Sequence, residues 1–241
     1  MKAESHLESP DMSDPRFVHT SVSETFPTLI WVADLEPAFR EPLNRAIVTK
    51  VDEFTGPRAQ SHAAETFQTD NTLHALTEFQ PLCVAVHKVA RGALRQLAID
   101  YDEIVITGMW ANVNPPGAKH SVHAHPNNYL SGVYYVQTDA DANVIRFHDP
   151  RGQMDAILPP RKQNNVYNTN LIEMEAKPGR IVLFPAWLRH DVPSNLSARE
   201  RISVSFNLMF PRFAESMSTP LWTGSTGEHR GKRPNYQQRR D

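Results

Sequence analysis

The sequence predicts a mainly β protein with flanking helices: a double-stranded β-helix core, jelly-roll or cupin-like, with N-terminal helices packed outside it. Three observations carry this. Two amphipathic helical patterns occupy the chain up to Asp100, about eight short β-rich runs follow, and helices precede strands instead of alternating with them. An α-then-β order argues for helices laid against one barrel, not for βαβ units. Eight strands is the number a jelly roll requires.

Residues 1–18 show no periodic apolar pattern and are expected to form a flexible leader. Phe26–Asp34 reads as a first strand. From Glu36 to Phe54, Phe39, Leu43, Ile47, Val51 and Phe54 recur at helical spacing, and residues 56–72 read as an irregular polar connection. A second helix from about Leu76 to Ile99 places Leu82, Val86, Val89, Ala93 and Leu97 on one stripe. The expected strands are Ile104–Val113, Ser121–His125, Leu130–Gln137, Asn143–His148, Met154–Leu158, Leu171–Ala176, Arg180–Phe184 and Arg201–Phe210. One domain over 19–222 is expected, its helical part about 36–100 and its β-helix core about 104–211. Residues 223–241 form a basic tail, for which a solvated end is a commoner outcome than contact with nucleic acid.

Composition narrows the function classes. The chain has 241 residues, 40% hydrophobic and 22% charged, as in an ordinary globular domain. A net charge of −2 gives no global argument for nucleic acid or an anionic membrane. The single cysteine, Cys83, rules out an internal disulfide framework, and its place in a helical run suits a buried structural thiol. No stretch approaches the roughly 20 apolar residues that cross a bilayer, and the polar N-terminus lacks an apolar leader core, so the cytoplasm is the expected compartment.

Eleven histidines is a high count, and four of them fall between positions 120 and 148. In a strand, residues two apart share a face, so His123 and His125 would aim two imidazoles at one point inside a barrel. Neutral imidazole suits iron, copper, zinc and nickel, and an H-x-H pair alone does not choose among them. His120, three residues earlier, would face the other side of a regular strand and reads as a polar loop residue. A second segment, PGRIVLFPAWLRH, ends a strand at His190 and returns that histidine to the barrel mouth. Then Arg201, Ser203, Ser205 and Asn207 alternate with Ile202, Val204, Phe206 and Leu208. Both faces of such a strand must be buried, and four inward polar groups are costly unless they bind something polar. Arg201 has to meet an acid, either a structural carboxylate or that of a ligand.

The order H-x-[DEH], a distant His and then an R-x-S run resembles the 2-oxoglutarate/Fe(II)-dependent oxygenases. The strings HAHPNNYLSGVYYV, PGRIVLFPAWLRH and RISVSFNL resemble more narrowly a bacterial and phage group of them. The resemblance spans about Trp110 to Phe210. It implies Fe(II), 2-oxoglutarate as cosubstrate, and O2, with His123, His125 and His190 as metal ligands and catalytic centre. It further implies that Arg201 holds the far carboxylate of 2-oxoglutarate, with Ser203 and Tyr135 as hydroxyl partners and Asn112 and Asn207 as further lining. Trp110, Asn128 and Tyr129 would border the substrate. The family's usual second ligand is a carboxylate, whereas His125 stands here. Asp149 and Asp191 are the nearby carboxylates, and orienting a ligand histidine is the best role for either.

The resulting expectation is an enzyme that couples oxidative decarboxylation of 2-oxoglutarate to oxidation, by hydroxylation, of a small-molecule or side-chain substrate. No membrane is expected, and nucleic acid is not the expected partner. Loops 56–72 and 149–170 and the C-terminal end would select the substrate. A three-histidine cupin-type dioxygenase or isomerase explains the three imidazoles equally but leaves Arg201 and Ser203 without a role. A non-catalytic metal- or sugar-binding jelly roll would make the inward polar strand a coincidence.

Overall fold

The structure, a computed structural model, describes residues 17–56, 66–101, 103–157 and 159–211. The expected tail and all but the last residues of the expected leader lie outside these. Strand β1 is Trp31–Asp34, shorter than expected because Phe26 takes a positive φ of 56° and its ring stands in solvent. Helix α1, Pro37–Thr55, begins with a proline in its first turn, where the missing N–H costs nothing. It ends at Gly56, whose positive φ closes the helix while its N–H donates to Asp52 O. Leu43, Ile47 and Val51 are buried, whereas Phe39 and Phe54 at the stripe's ends are half exposed. Helix α2, Gln80–Gln96, starts later than expected, because residues 73–75 and 77–79 form two 3₁₀ turns ahead of it. Cys83 is buried in α2, and burial pushes its thiol pKa up. Among the described residues, no helix is long and apolar enough to cross a membrane.

The remaining strands are β2 (Phe67–Gln68), β3 (Val105–Asn114), β4 (His120–His123), β5 (Leu130–Gln137), β6 (Val144–His148), β7 (Leu171–Glu175), β8 (Arg180–Pro185), β9 (His190–Val192) and β10 (Arg201–Met209). They form a six-stranded sheet in the order β1-β8-β5-β10-β3-β2 and a four-stranded sheet in the order β4-β9-β6-β7. This is the jelly-roll architecture with outer helices that the sequence implies. One expected strand, Met154–Leu158, does not form over its described residues, 154–157, and a strand not expected forms elsewhere. Residues 152–155 form a 3₁₀ turn, because Pro159 and Pro160 lack the amide donors of a ladder, while His190–Val192 pairs with both β4 and β6. The connection 56–72 also contributes β2, paired to β3 through Phe67↔Val113 and Gln68↔Asn112.

The large sheet is buried on both faces. Met109, Ala111, Val113, Leu130, Tyr134, Ile181, Leu183, Ile202, Val204 and Phe206 face the helices and share a core with Leu43, Ile47 and Val86. The alternate residues Val133, Tyr135, Val182 and Phe184 pack with Ile145, Phe147 and Leu188 in a second core on the other face. Asn44 ties α1 to this sheet: it accepts from the Tyr134 hydroxyl and donates to Val136 O.

Gly132 lies opposite Phe206 in the β5–β10 ladder, and a Cβ there would overlap the Phe206 ring and the Val182 carbonyl. Gly132→Ala is therefore expected to destabilise the fold by about 1–3 kcal/mol, read as a lower urea midpoint.

Candidate metal centre and its polar cavity

Between the two sheets lies a cavity of ≈ 250 Å³. Strands β4 and β9 meet at one end, paired as His120↔Val192 and His123↔His190. Three steps along β4 thus match two along β9, the extra residue of a β-bulge. The bulge turns both His120 and His123 to the cavity, correcting the expectation that His120 is a loop residue on the far side. His120 lines the cavity, with its Nε2 2.9 Å from the Asn114 amide. Strand β4 also ends at His123, so His125 reaches the centre from the following loop and not by strand alternation. That loop is pinned by the His125 N–H to Ala186 O and the Ala186 N–H to Tyr129 O.

The structure brings His123, His125 and His190 together. Their available ring nitrogens all lie within 4.8 Å of one another, and the His123 and His190 ring centroids are 4.3 Å apart. Nδ1 of His190 lies 2.9 Å from Leu188 O, and Nδ1 of His123 lies 2.7 Å from Ser121 O. A carbonyl only accepts, so each Nδ1 carries the proton and each Nε2 keeps its lone pair for a metal. Burial holds the pKa of His190 and of His125 down at about 4, aided by neighbouring imidazoles. Both are neutral near pH 7, the form that binds metal. Phe184 and Phe147 pack against His190, and Trp110 lies beside His125 with ring centroids 5.9 Å apart.

Arg201, Ser203 and Ser205 of β10, Asn112 and Asn114 of β3 and Tyr135 of β5 line the same cavity. Arg201 is 2% exposed and, among the described residues, has no carboxylate partner and makes one long bond, Nη1 to Ala142 O at 3.4 Å. Its Nη2, the Tyr135 hydroxyl and the Asn112 side-chain oxygen are buried without a partner. Burial draws the guanidinium pKa down and pushes the phenol up. A buried arginine without an acid is costly, and of these three atoms Arg201 Nη2 and the Tyr135 hydroxyl can donate. A ligand carboxylate fits that cradle, as a divalent metal fits the three imidazoles.

Asn207 does not line the cavity: two residues beyond Ser205, its side-chain oxygen accepts from Ser131 Oγ at 2.7 Å. Neither do Asn128, which accepts from Thr107, nor Tyr129, which stacks on Phe210; Trp110 does. The two carboxylates are engaged elsewhere. Asp191 accepts from Arg146 Nε and Nη2 at 2.8 and 2.6 Å and lies 2.6 Å from His148 Nε2. Asp149 binds Arg151. Neither reaches a histidine of the cluster; backbone carbonyls orient His123 and His190 instead. Burial raises the Asp191 pKa, but the bonds from His148 and Arg146 outweigh it and leave the net shift downward.

Gln68, Asn114 and His120 are lining residues that the sequence reading passed over. Asn114 was detectable, since Trp110, Asn112 and Asn114 alternate in β3. Gln68 has no such signal, because β2 is only two residues long.

The two-sheet barrel with a histidine cluster and a buried arginine in one cavity has the fold of the 2-oxoglutarate-dependent oxygenases. Solved structures share it at low identity. HygX from Streptomyces hygroscopicus, solved with nickel and 2-oxoglutarate, aligns at TM-score 0.52 and 13% identity over 76% of this chain and 83% of its own. EctD from S. alaskensis, solved with 2-oxoglutarate and 5-hydroxyectoine, aligns at 0.54 and 14% over 76% and 72%. A prolyl hydroxylase from Trichoplax adhaerens, in complex with a hypoxia-inducible-factor peptide fragment, aligns at 0.53 and 12% over 78% and 87%. No protein of curated function matches the chain in sequence. Residues 108–207 match the family described as "Putative 2OG-Fe(II) oxygenase". Through this segment the chain is similar to the 2OG-Fe(II) oxygenases, an oxidoreductase family.

Two outcomes are expected. In the metal-free protein, the unfolded chain takes up protons below a histidine pKa of about 6.5, whereas native His120, His125 and His190 do so only near 4. Stability should therefore be full above pH 7 and fall as pH drops toward 4, seen as a lower urea midpoint at pH 5 than at pH 7.5. Asp191→Ala should cost roughly 1–3 kcal/mol of stability. Its metal affinity should shift less than about threefold, against the 10–100-fold loss of a residue that orients a ligand.

Proposed function

We propose that this protein couples oxidative decarboxylation of 2-oxoglutarate to the oxidation, by hydroxylation, of a small-molecule or side-chain substrate. His123, His125 and His190 would hold the Fe(II), His123 and His190 through Nε2. Arg201, with the Tyr135 hydroxyl and Ser203, takes the far carboxylate of 2-oxoglutarate, and Asn112 lines the passage between. The observation that carries this reading is the buried Arg201 Nη2, without a partner, in the same cavity as the three imidazoles. Iron chelated by 2-oxoglutarate supplies oxygen activation, with succinate and carbon dioxide as coproducts. The chain's own residues do the rest. Backbone carbonyls fix the tautomers of His123 and His190. Phe147 and Phe184 wall the buried side of His190 against water. Arg201 and Tyr135 fix the orientation of the cosubstrate through its far end.

The three-imidazole set favours a second reading, a three-histidine cupin-type dioxygenase or isomerase that uses no 2-oxoglutarate. It leaves the Arg201 Nη2 and the Tyr135 hydroxyl without a ligand, so it ranks second.

Anaerobic titration with Fe(II) and 2-oxoglutarate is expected to raise the weak visible charge-transfer band of the chelate. His190→Ala should abolish it, and Arg201→Ala should raise the 2-oxoglutarate needed by about 10- to 100-fold, the worth of a charge-assisted pair. Tight iron binding with no band at any 2-oxoglutarate concentration would sink this reading in favour of the second.

A further inference from the structure

We infer that the substrate of this site carries a single negative charge, such as one carboxylate, received inside the cavity close to the metal. The inference names the substrate class for the oxygenase reading above and rests on it.

Among the described residues lining the cavity, none is an aspartate or a glutamate. Three neutral imidazoles stand where a facial triad would include an anion. Asp191, next to His190 in sequence, is neutralised away from the cavity by Arg146 and His148, and Asp149 by Arg151. Arg201 is buried and has no acid partner among the described residues. A divalent metal and Arg201 together supply three positive charges, and the 2-oxoglutarate dianion removes two. One positive charge is left over in a cavity partly walled by Val133, Ile145 and Phe184. With a carboxylate as third ligand the same count would be zero.

An uncompensated charge next to apolar walls is poorly solvated, so the cavity favours whatever neutralises it. A monoanion does so, a neutral molecule does not, and a cation doubles the excess. The cavity also holds uncharged N–H groups suited to an acid's oxygens, on Gln68, Trp110 and His120. Charge complementarity of this kind discriminates between partners of equal size.

Three small probes of different charge test this: acetate, its neutral isostere acetamide, and the smaller cation methylammonium. Each is titrated, anaerobically and at constant ionic strength, into protein loaded with Fe(II) and saturating 2-oxoglutarate, and the chelate band is followed. Acetate should shift the band saturably, with a midpoint at least about tenfold below that of acetamide, and methylammonium should have no effect. In His125→Asp, which restores an anionic donor, the preference for acetate over acetamide should shrink by about tenfold or more. If that variant does not hold iron, the native series decides alone. The inference is overturned if acetamide or methylammonium matches acetate, if acetate bleaches the band by displacing 2-oxoglutarate, or if no probe moves it. Absence of the band before any probe is added would overturn the oxygenase reading, and this inference with it.

Discussion

A strand buried on both faces has to serve two interiors at once, and β10 is that strand. It lies between β5 and β3 in the large sheet, so both its edges are spent on ladders. Its even residues, Ile202, Val204, Phe206 and Leu208, complete the core under the helices. Its odd residues, Arg201, Ser203 and Ser205, form the polar wall of the cavity. The period of two makes these roles inseparable: a one-residue slip would drive the guanidinium into the helix-facing core and the isoleucine into the cavity. The helices pack on the sheet away from the cavity, so their contribution to the site is to keep β10 and its neighbours in register.

The metal end is built differently. Its histidines come from a bulged strand, from the loop after it and from a three-residue strand. Precision here comes from hydrogen bonds to backbone carbonyls, which cannot change protonation state. The Leu188 and Ser121 carbonyls fix the His190 and His123 tautomers without themselves titrating. Carboxylates would do the same work at the cost of bringing negative charge to the centre. The one buried carboxylate near it, Asp191, is turned outward to Arg146 and His148 and helps hold the small sheet together. The centre is thereby left with neutral donors, and the electrostatic balance of the cavity falls to its ligands.

Much of this was legible in the chain because it follows from local period. The alternation over residues 201–208 showed a strand buried on both faces, the stripes of Leu43, Ile47 and Val51 and of Leu82 and Val86 showed the helices, and H-x-H with a later His marked the cluster. Errors arose where local period stopped applying. His120 was placed on the wrong face because a bulge adds one residue to β4, and whether a strand is bulged depends on its partner β9. His125 was assigned to a strand that ends at His123. Met154–Leu158 has strand-like composition, but its described residues, 154–157, pair with no strand among the described residues.

The sequence by itself determined the fold class, the two faces of β10 and the candidate residues for metal and carboxylate binding, since all of these are written in spacing and side-chain type. Tertiary structure decided which of them meet. It brought Gln68 and Asn114 to the cavity, carried Asn207 past its end, turned His120 inward and tied Asp191 to Arg146. Each of those outcomes is set by pairing between segments far apart in the chain, and pairing register is a property of two strands, which no single strand's pattern contains.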